Sequence, residues 1–110
     1  MPKQAPHPTD TIDELELQTS LANRLRGWKV SRGALERTFV FPNFKIALEF
    51  VNRVGAKAEA LQHHPDVEIR YDHVTLRLHS HDAGAITRRD LTLAGSIEEF
   101  APEYLDKKTA

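Results

Sequence analysis

The chain has 110 residues, enough for one domain with a hydrophobic core. Hydrophobic residues make up 40% and charged residues 28%, an ordinary composition for a folded globular protein. A formal net charge of −1 gives no basic field for direct binding of nucleic acid or an anionic membrane. The lack of cysteine excludes disulfides, a thiolate nucleophile and a thiolate zinc site. No segment has the length of a transmembrane helix or the apolar core of a signal peptide, which predicts a cytoplasmic protein.

The domain organisation follows from composition and hydrophobic periodicity. Residues 1–10 contain three prolines and predict a disordered N-terminal tail. Residues 11–105 predict a single domain, and residues 106–110 predict a short C-terminal tail. Within the domain, segments in which apolar residues recur every three or four residues, as in helices, alternate with segments in which they recur every two residues, as in strands. This pattern predicts the element order α-β-β-α-β-β-α.

The first helix is expected to begin at Thr11, which has capping-box spacing with Glu14, and to end near Arg26. Four apolar side chains are expected on its buried face, with Leu17 at the margin: Ile12, Leu15, Leu21 and Leu25. The next segment, WKVSRGALERTFVF, predicts a hairpin that turns at residues 31–33. One face of its second strand is expected to carry Leu35, Arg37, Phe39 and Phe41.

A long amphipathic helix is predicted from Asn43 to about His63. Asn43 is a suitable N-cap, and Pro65 ends the helix because the residue before a proline is displaced from the helical region. The apolar residues recur at intervals of three and four: Phe44, Ala47, Leu48, Val51, Val54, Ala58 and Leu61.

A second hairpin and a last helix complete the predicted domain. The hairpin is expected to turn at Asp72-His73, because apolar residues alternate on both sides: Val67, Ile69, Tyr71, Val74, Leu76 and Leu78. The last helix is expected to begin at Thr87, with Asp90 as its capping-box partner, and to end before Pro102.

Five of the six histidines lie within residues 63–81: His63, His64, His73, His79 and His81. Glu59 precedes His63 by four residues, a spacing at which side chains on a helix meet. His79 and His81 share one face of the last strand, where that strand ends. Imidazoles titrate near neutral pH and both donate and accept protons. The pattern therefore predicts an acid–base site between the end of the long helix and the end of the last strand.

The same residues allow two other interpretations. Adjacent histidines occur at helix ends because a cation complements the helix dipole, so His63 and His64 can be ordinary surface residues. Glu59, His63 and His81 also form the two-histidine, one-carboxylate set of some transition-metal sites. However, His63 and His64 would point about 100° apart on a helix, and no H-E-x-x-H spacing occurs, so we expect no metal.

The segment EALQHHPDVEIRYDHVTLRLHSHDAGAITRRDLTLA closely resembles the pterin-4a-carbinolamine dehydratases. The pattern of that family has a glutamate four residues before HHP, a tyrosine, a valine-bearing strand, a T-H-D-like strand end and a G-L-T-x-x-D helix start. The segments RLRGWKV, FVFPNF and ALEFVNRVGAKAEA also resemble it, so the resemblance covers about residues 11–101. It implies an α+β domain in which three helices pack on one face of a four-stranded antiparallel sheet.

The resemblance also implies an activity, the dehydration of a 4a-hydroxytetrahydropterin to quinonoid dihydropterin and water in tetrahydropterin recycling, without metal or redox cofactor. By matching positions, His63 would protonate the departing hydroxyl, His64 would orient the substrate, and His81 would be a second acid or base. Four further positions are carried over as binding or supporting the pterin: Glu59, which would also orient His63, and Trp28, Asp90 and Ser80. Without the resemblance, Trp28 is expected to be a core aromatic residue.

Relatives of this kind also act as a dimerisation cofactor for a homeodomain transcription factor or as assembly factors, so a non-catalytic binding role is the alternative. Retention of all four acid–base residues favours catalysis: Glu59, His63, His64 and His81. The sequence departs from the family pattern at Gln62, Val67, Ser80 and Ala85-Ile86, and none of these changes removes a proton-transfer group. Unpaired outer strands of the two hairpins predict a homodimer, and the resemblance implies dimers that associate through their sheets and in some members pair into tetramers.

Overall fold

The computed structural model describes residues 11–107, so the predicted N-terminal tail and residues 108–110 lie outside the described part of the chain. The observed order α-β-β-α-β-β-α confirms the predicted one. The elements are α1 (Glu14–Asn23), β1 (Lys29–Ser31), β2 (Ala34–Val40), α2 (Phe44–Leu61), β3 (Asp66–Arg70), β4 (His73–Leu78) and α3 (Arg88–Leu105).

The four strands form one antiparallel sheet in the order β1-β2-β4-β3, with the helices on one face, as predicted. Alternate residues of the two central strands are buried against the helices, namely Leu35, Phe39, Val74, Leu76 and Leu78. The first hairpin turns at Arg32 and Gly33, whose φ angles of 49° and 77° match the two-residue turn that fits the twist of paired strands. The strands β1 and β3 are the two edges of the sheet.

The start and the buried face of α1 differ from the prediction. Its N-cap is Asp13, whose carboxylate accepts a hydrogen bond from the backbone N–H of Glu16 at 2.7 Å, so the predicted capping box at Thr11 is wrong. Leu17 enters the core, whereas Leu15 is 76% exposed. Two residues differ by about 200° around a helix, so burial of Leu17 directs Leu15 to solvent.

The ends of the first and last helices also differ from the prediction. The helix α1 ends at Asn23, because the chain turns there to bury Leu25, whose backbone N–H bonds the carbonyl of Ser20 at 2.9 Å. The helix α3 continues through Pro102 to Leu105. A proline removes one intrahelical hydrogen bond, and burial of the adjacent Ala101 and of the preceding turns maintains the helix beyond it.

The buried face of α2 is centred about one residue away from the predicted position. Ile46 and Phe50, which were not assigned to that face, are buried, while Phe44, Leu48 and Leu61 are between 37% and 45% exposed. Phe50 contacts the rings of Phe39, Phe41, Phe100 and Tyr104, and this aromatic cluster joins the sheet to α2 and α3. Within residues 11–107 no helix combines the length and the apolar composition that crossing a membrane requires.

Candidate active site

A cavity of about 360 Å³ lies where the end of α2 meets the end of β4. Four of the five clustered histidines line it, which brings together the imidazoles that the sequence placed at one rim. The fifth, His73, lies at the opposite end of β4 and pairs with Asp72. The complete lining is Gln62, His63, His64, Pro65, Asp66, His79, His81 and Asp82.

The end of α2 determines where His63 points. The helix ends at Leu61, and Gln62 follows in the left-handed conformation with a φ of 52°. This residue reverses the chain direction, and the backbone N–H of His63 then bonds the carbonyl of Ala58 at 3.0 Å. The imidazole consequently turns toward the start of α3, where Nε2 lies 2.6 Å from Oδ1 of Asp90. Its side chain is only 10% exposed.

Asp90 is fully buried and holds three groups at once. Its Oδ2 accepts hydrogen bonds from the backbone N–H of Thr87 at 2.9 Å and from the hydroxyl of Ser80 at 3.0 Å. The hydroxyls of Ser80 and Thr87 lie 2.7 Å apart. Thr87 is the N-cap of α3, and its hydroxyl also accepts a hydrogen bond from the backbone N–H of Arg89 at 3.3 Å. The predicted capping box of Thr87 and Asp90 is confirmed.

These contacts determine which nitrogen of His63 is available for chemistry. Because the Ser80 hydroxyl donates to Asp90, it accepts from Thr87, and both contacts of Oδ2 are accepted by Asp90, which as a carboxylate has no proton to donate through Oδ1. Nε2 of His63 must therefore donate to Oδ1, which leaves Nδ1 as the ring nitrogen that can serve a ligand in the cavity. An imidazole fixed in one tautomer by a buried carboxylate is a common arrangement for proton transfer.

Glu59 pairs with His64, not with His63 as expected from the spacing. The i to i+4 rule assumes that both residues belong to the helix, whereas α2 ends at Leu61. The Glu59 and His64 side chains are 71% and 57% exposed, so this pair stands on the outer rim of the cavity. Within residues 11–107 no group of three His, Asp or Glu side chains has the arrangement of a metal site.

His79 and His81 form the opposite wall of the cavity. Their rings meet edge to face, with centroids 4.1 Å apart and planes at 62°. Nε2 of His79 lies 3.8 Å from Oδ2 of Asp66, the first residue of β3. His81 is exposed and follows the isolated bridge between Ser80 and Ala85.

Asp82 completes the rim and is held by Arg89, whose Nη2 lies 2.8 and 3.1 Å from the two carboxylate oxygens. The hydrogen bond from Arg89 lowers the pKa of Asp82, more than burial raises it. Because the pKa is lowered in the folded protein, this pair stabilises the fold above the unfolded pKa of aspartate. That contribution disappears as the pH falls through the lowered pKa.

We predict that Arg89→Gln raises the pKa of Asp82 toward the ordinary aspartate value, because the charged hydrogen-bond donor is lost. The measurement is a ¹³C NMR titration of the Asp82 carboxyl carbon in the wild type and the variant. Arg70→Gln, at an exposed arginine of β3, is the control and should leave the titration unchanged. Identical Asp82 titrations in the wild type and in Arg89→Gln would contradict the assignment of the shift to Arg89.

None of the four residues carried over as binding or supporting the pterin lines the cavity itself, although Glu59 and Asp90 contact the lining residues His64 and His63. Trp28 is buried in the core, where Nε1 donates to Glu98 of α3 at 2.7 Å and the ring meets Phe39 edge to face. The structure therefore places Trp28 in the role of a core aromatic residue. Ser80 is fully buried behind His63 and reaches the site only through Asp90.

Asp66 and Asp82, which line the cavity, were not predicted from the sequence, and His79 was predicted to belong to the histidine cluster without a chemical role of its own. The sequence signal for the two aspartates was their position, because Asp66 directly follows the HHP segment and Asp82 directly follows the HSH segment. The connection from His63 to Asp90 spans 27 residues and has no local signal in the sequence.

Comparison with known proteins agrees with this architecture. The family model described as "Pterin 4 alpha carbinolamine dehydratase" matches residues 10–100. A protein of Koribacter versatilis named "Putative pterin-4-alpha-carbinolamine dehydratase" is 47% identical over 92 residues, which cover 84% of this chain and 97% of the relative. A protein of the same name from Thermomicrobium roseum is 50% identical over 82 residues, covering 74% of this chain and 88% of the relative.

A solved structure gives the same result for the fold. The crystal structure described as "transcriptional coactivator/pterin dehydratase from Brucella Melitensis" superposes with a TM-score of 0.77 at 28% sequence identity. The superposition covers 84% of this chain and 99% of the Brucella chain. With the family match spanning most of the domain, the chain belongs to the pterin-4a-carbinolamine dehydratase family.

Proposed function

We propose that this protein is a cytoplasmic pterin-4a-carbinolamine dehydratase that removes water from a 4a-hydroxytetrahydropterin in tetrahydropterin recycling. The observation that carries the proposal is the convergence of His63, His64 and His81 on one cavity. Its volume of about 360 Å³ is within the range of small-molecule sites and suits a bicyclic ring. The family membership supports the same substrate class.

The proposed reaction is an elimination across the C4a–N5 bond of the substrate. His63, in its imidazolium form, donates the Nδ1 proton to the C4a hydroxyl, and the C4a–O bond breaks to release water. N5 loses its proton to His81, and the N5 electron pair forms the C4a=N5 double bond of the quinonoid product. The proton gained by His81 returns through solvent to His63, so neither redox change nor net proton uptake occurs.

The remaining residues of the site have supporting roles in this proposal. Asp90 keeps the proton of Nε2 on His63, so that each cycle returns this imidazole to the same tautomer. The exposed pair of Glu59 and His64 orients the substrate at the rim, where a side chain of the pterin can extend into solvent. Positioned acid–base groups contribute roughly 10²–10⁴-fold, which suffices for an elimination that already proceeds in water.

The test is a stopped-flow assay in which the carbinolamine is generated by an aromatic amino acid hydroxylase and its disappearance is followed by absorbance. We expect the purified protein to accelerate dehydration by at least about 10²-fold over the uncatalysed background at micromolar concentration. A rate equal to the background at every enzyme concentration would refute the proposal.

A second candidate function is a binding or assembly role on the same scaffold. The observation that favours it is the description of the Brucella protein as both coactivator and dehydratase. The assay separates the candidates, because a solely scaffolding protein has no need of the proton-transfer groups and should not accelerate dehydration.

We also propose that the protein is a homodimer. Within residues 11–107 both sheet edges have unpaired backbone groups, and the edge strand β3 has an apolar side chain, Val67, that is 42% exposed. Pairing with a second copy would satisfy these groups. Multi-angle light scattering at micromolar concentration should give twice the chain mass of 12.5 kDa, or four times that mass if dimers pair. A monomer would contradict the prediction.

A further inference from the structure

His79 lines the cavity, but the proposed mechanism does not use it. Its side chain is 28% exposed, so most of the ring is covered by neighbouring residues. A second cavity, of about 420 Å³, lies beside α1 and α3, but no histidine lines it. Among the histidines that line the cavity, His79 is therefore the one to which the proposed mechanism assigns no function.

The three imidazoles of the mechanism are held in different ways. His63 is fixed by the buried carboxylate of Asp90, and His64 is paired with Glu59. Within residues 11–107 the His81 side chain has no hydrogen bond, although the mechanism requires it to accept a proton from a defined direction. Its ring contact is with His79, at a centroid distance of 4.1 Å.

We infer that His79 is a positioning residue that holds the His81 ring toward the cavity by edge-to-face packing, an inference that rests on the proposed function. Aromatic rings favour edge-to-face contacts over direct face-to-face stacking, and the two imidazole planes meet here at 62°. Both histidines lie just beyond the end of β4 and flank Ser80, whose isolated bridge to Ala85 fixes the backbone between them. The 3.8 Å separation between Nε2 of His79 and Oδ2 of Asp66 is too long for a hydrogen bond, so the inference rests on the contact between the two imidazole rings.

The test compares two substitutions of the same residue. His79→Ala removes the ring and should lower kcat by about tenfold with little change in KM, because a misdirected acid–base group slows chemistry more than binding. His79→Phe keeps the ring without its nitrogens and should restore kcat to within about twofold of the wild type. His73→Ala, at an exposed histidine at the other end of β4, is the matched control and should retain wild-type kinetics.

A double-substitution cycle with His81→Asn shows whether His79 acts through His81. If it does, His79→Ala should have no further effect in the His81→Asn background. Additive losses, or failure of His79→Phe to recover kcat, would overturn the inference and place His79 in direct contact with the substrate.

A readout that does not depend on turnover separates this inference from the proposed function. In NMR spectra of the imidazole protons, His81 should show one ring orientation with a ring-current shift from residue 79 in the wild type and in His79→Phe. In His79→Ala this ring-current shift should be lost, and the His81 imidazole signals should be averaged over several ring orientations. Absence of dehydration in the wild type would refute the proposed function, whereas unchanged His81 signals in His79→Ala would refute the positioning role.

Discussion

His63→Ala is expected to lower the rate of carbinolamine dehydration by about 10²-fold or more, because it removes the general acid at the C4a hydroxyl. The structure sharpens this expectation, since His63 is the histidine of the cavity whose ring is both buried and fixed by a buried carboxylate. The effect should appear in kcat and in kcat/KM, because protonation of the leaving group develops in the transition state.

The fold of His63→Ala should survive with a modest loss of stability. Asp90 loses one of its partners, but Ser80 and Thr87 still donate to its carboxylate. Loss of a buried hydrogen bond of this kind costs about 1–3 kcal/mol, which urea unfolding measures directly. Stopped-flow turnover is the primary measurement, with His73→Ala as the matched histidine control. Unchanged turnover in a folded His63→Ala variant would remove His63 from the mechanism.

Features with a local chemical cause could be predicted from the sequence. The N-cap at Asn43 was identified correctly, since its side chain accepts from the N–H of Ile46 at 2.9 Å. The capping box of Thr87 and Asp90 was identified in the same way. The element order and the alternation on β2 and β4 followed from periodicity, which depends on burial of one face of each element.

Features determined by packing between distant segments could not be predicted in this way. The buried face of α2 depends on the aromatic cluster around Phe50, so periodicity alone misplaced its centre by one residue. The i to i+4 spacing of a helix predicted that Glu59 pairs with His63. The helix ends at the left-handed Gln62, however, and Glu59 pairs with His64 instead. Likewise, the second hairpin turns one residue earlier than predicted, with Tyr71 at a φ of 53° and 69% exposed.

One residue connects the fold to the site. Asp90 is a capping residue of α3 by its bond to the N–H of Thr87, and the same carboxylate sets the tautomer of His63. The helix start and the catalytic geometry are therefore coupled, because neither oxygen of Asp90 can move without releasing a partner. Ser80 joins this group from the end of β4, which fixes the distance between the last strand and the last helix at the cavity.

Asp90→Asn is expected to lower dehydration about 10²-fold while the protein stays folded. The Thr87 N–H and the Ser80 hydroxyl both donate to Oδ2, so the amide oxygen of asparagine should take that position. The amide nitrogen then faces Nε2 of His63, which must become an acceptor, and the neutral ring carries its proton on Nδ1 instead. Replacement of an orienting aspartate by asparagine lowers the activity of histidine-dependent enzymes through this tautomer exchange.

¹⁵N NMR of the His63 ring measures the tautomer directly and should show protonation moving from Nε2 to Nδ1 in Asp90→Asn. Asp72→Asn is the matched control, because it makes the same change beside the exposed His73 and should leave turnover unchanged. Since Asp90 acts through His63, the double variant with His63→Ala should be no slower than His63→Ala alone. Wild-type turnover in Asp90→Asn, or an unchanged His63 tautomer with reduced turnover, would show that Asp90 does not act by orienting this imidazole.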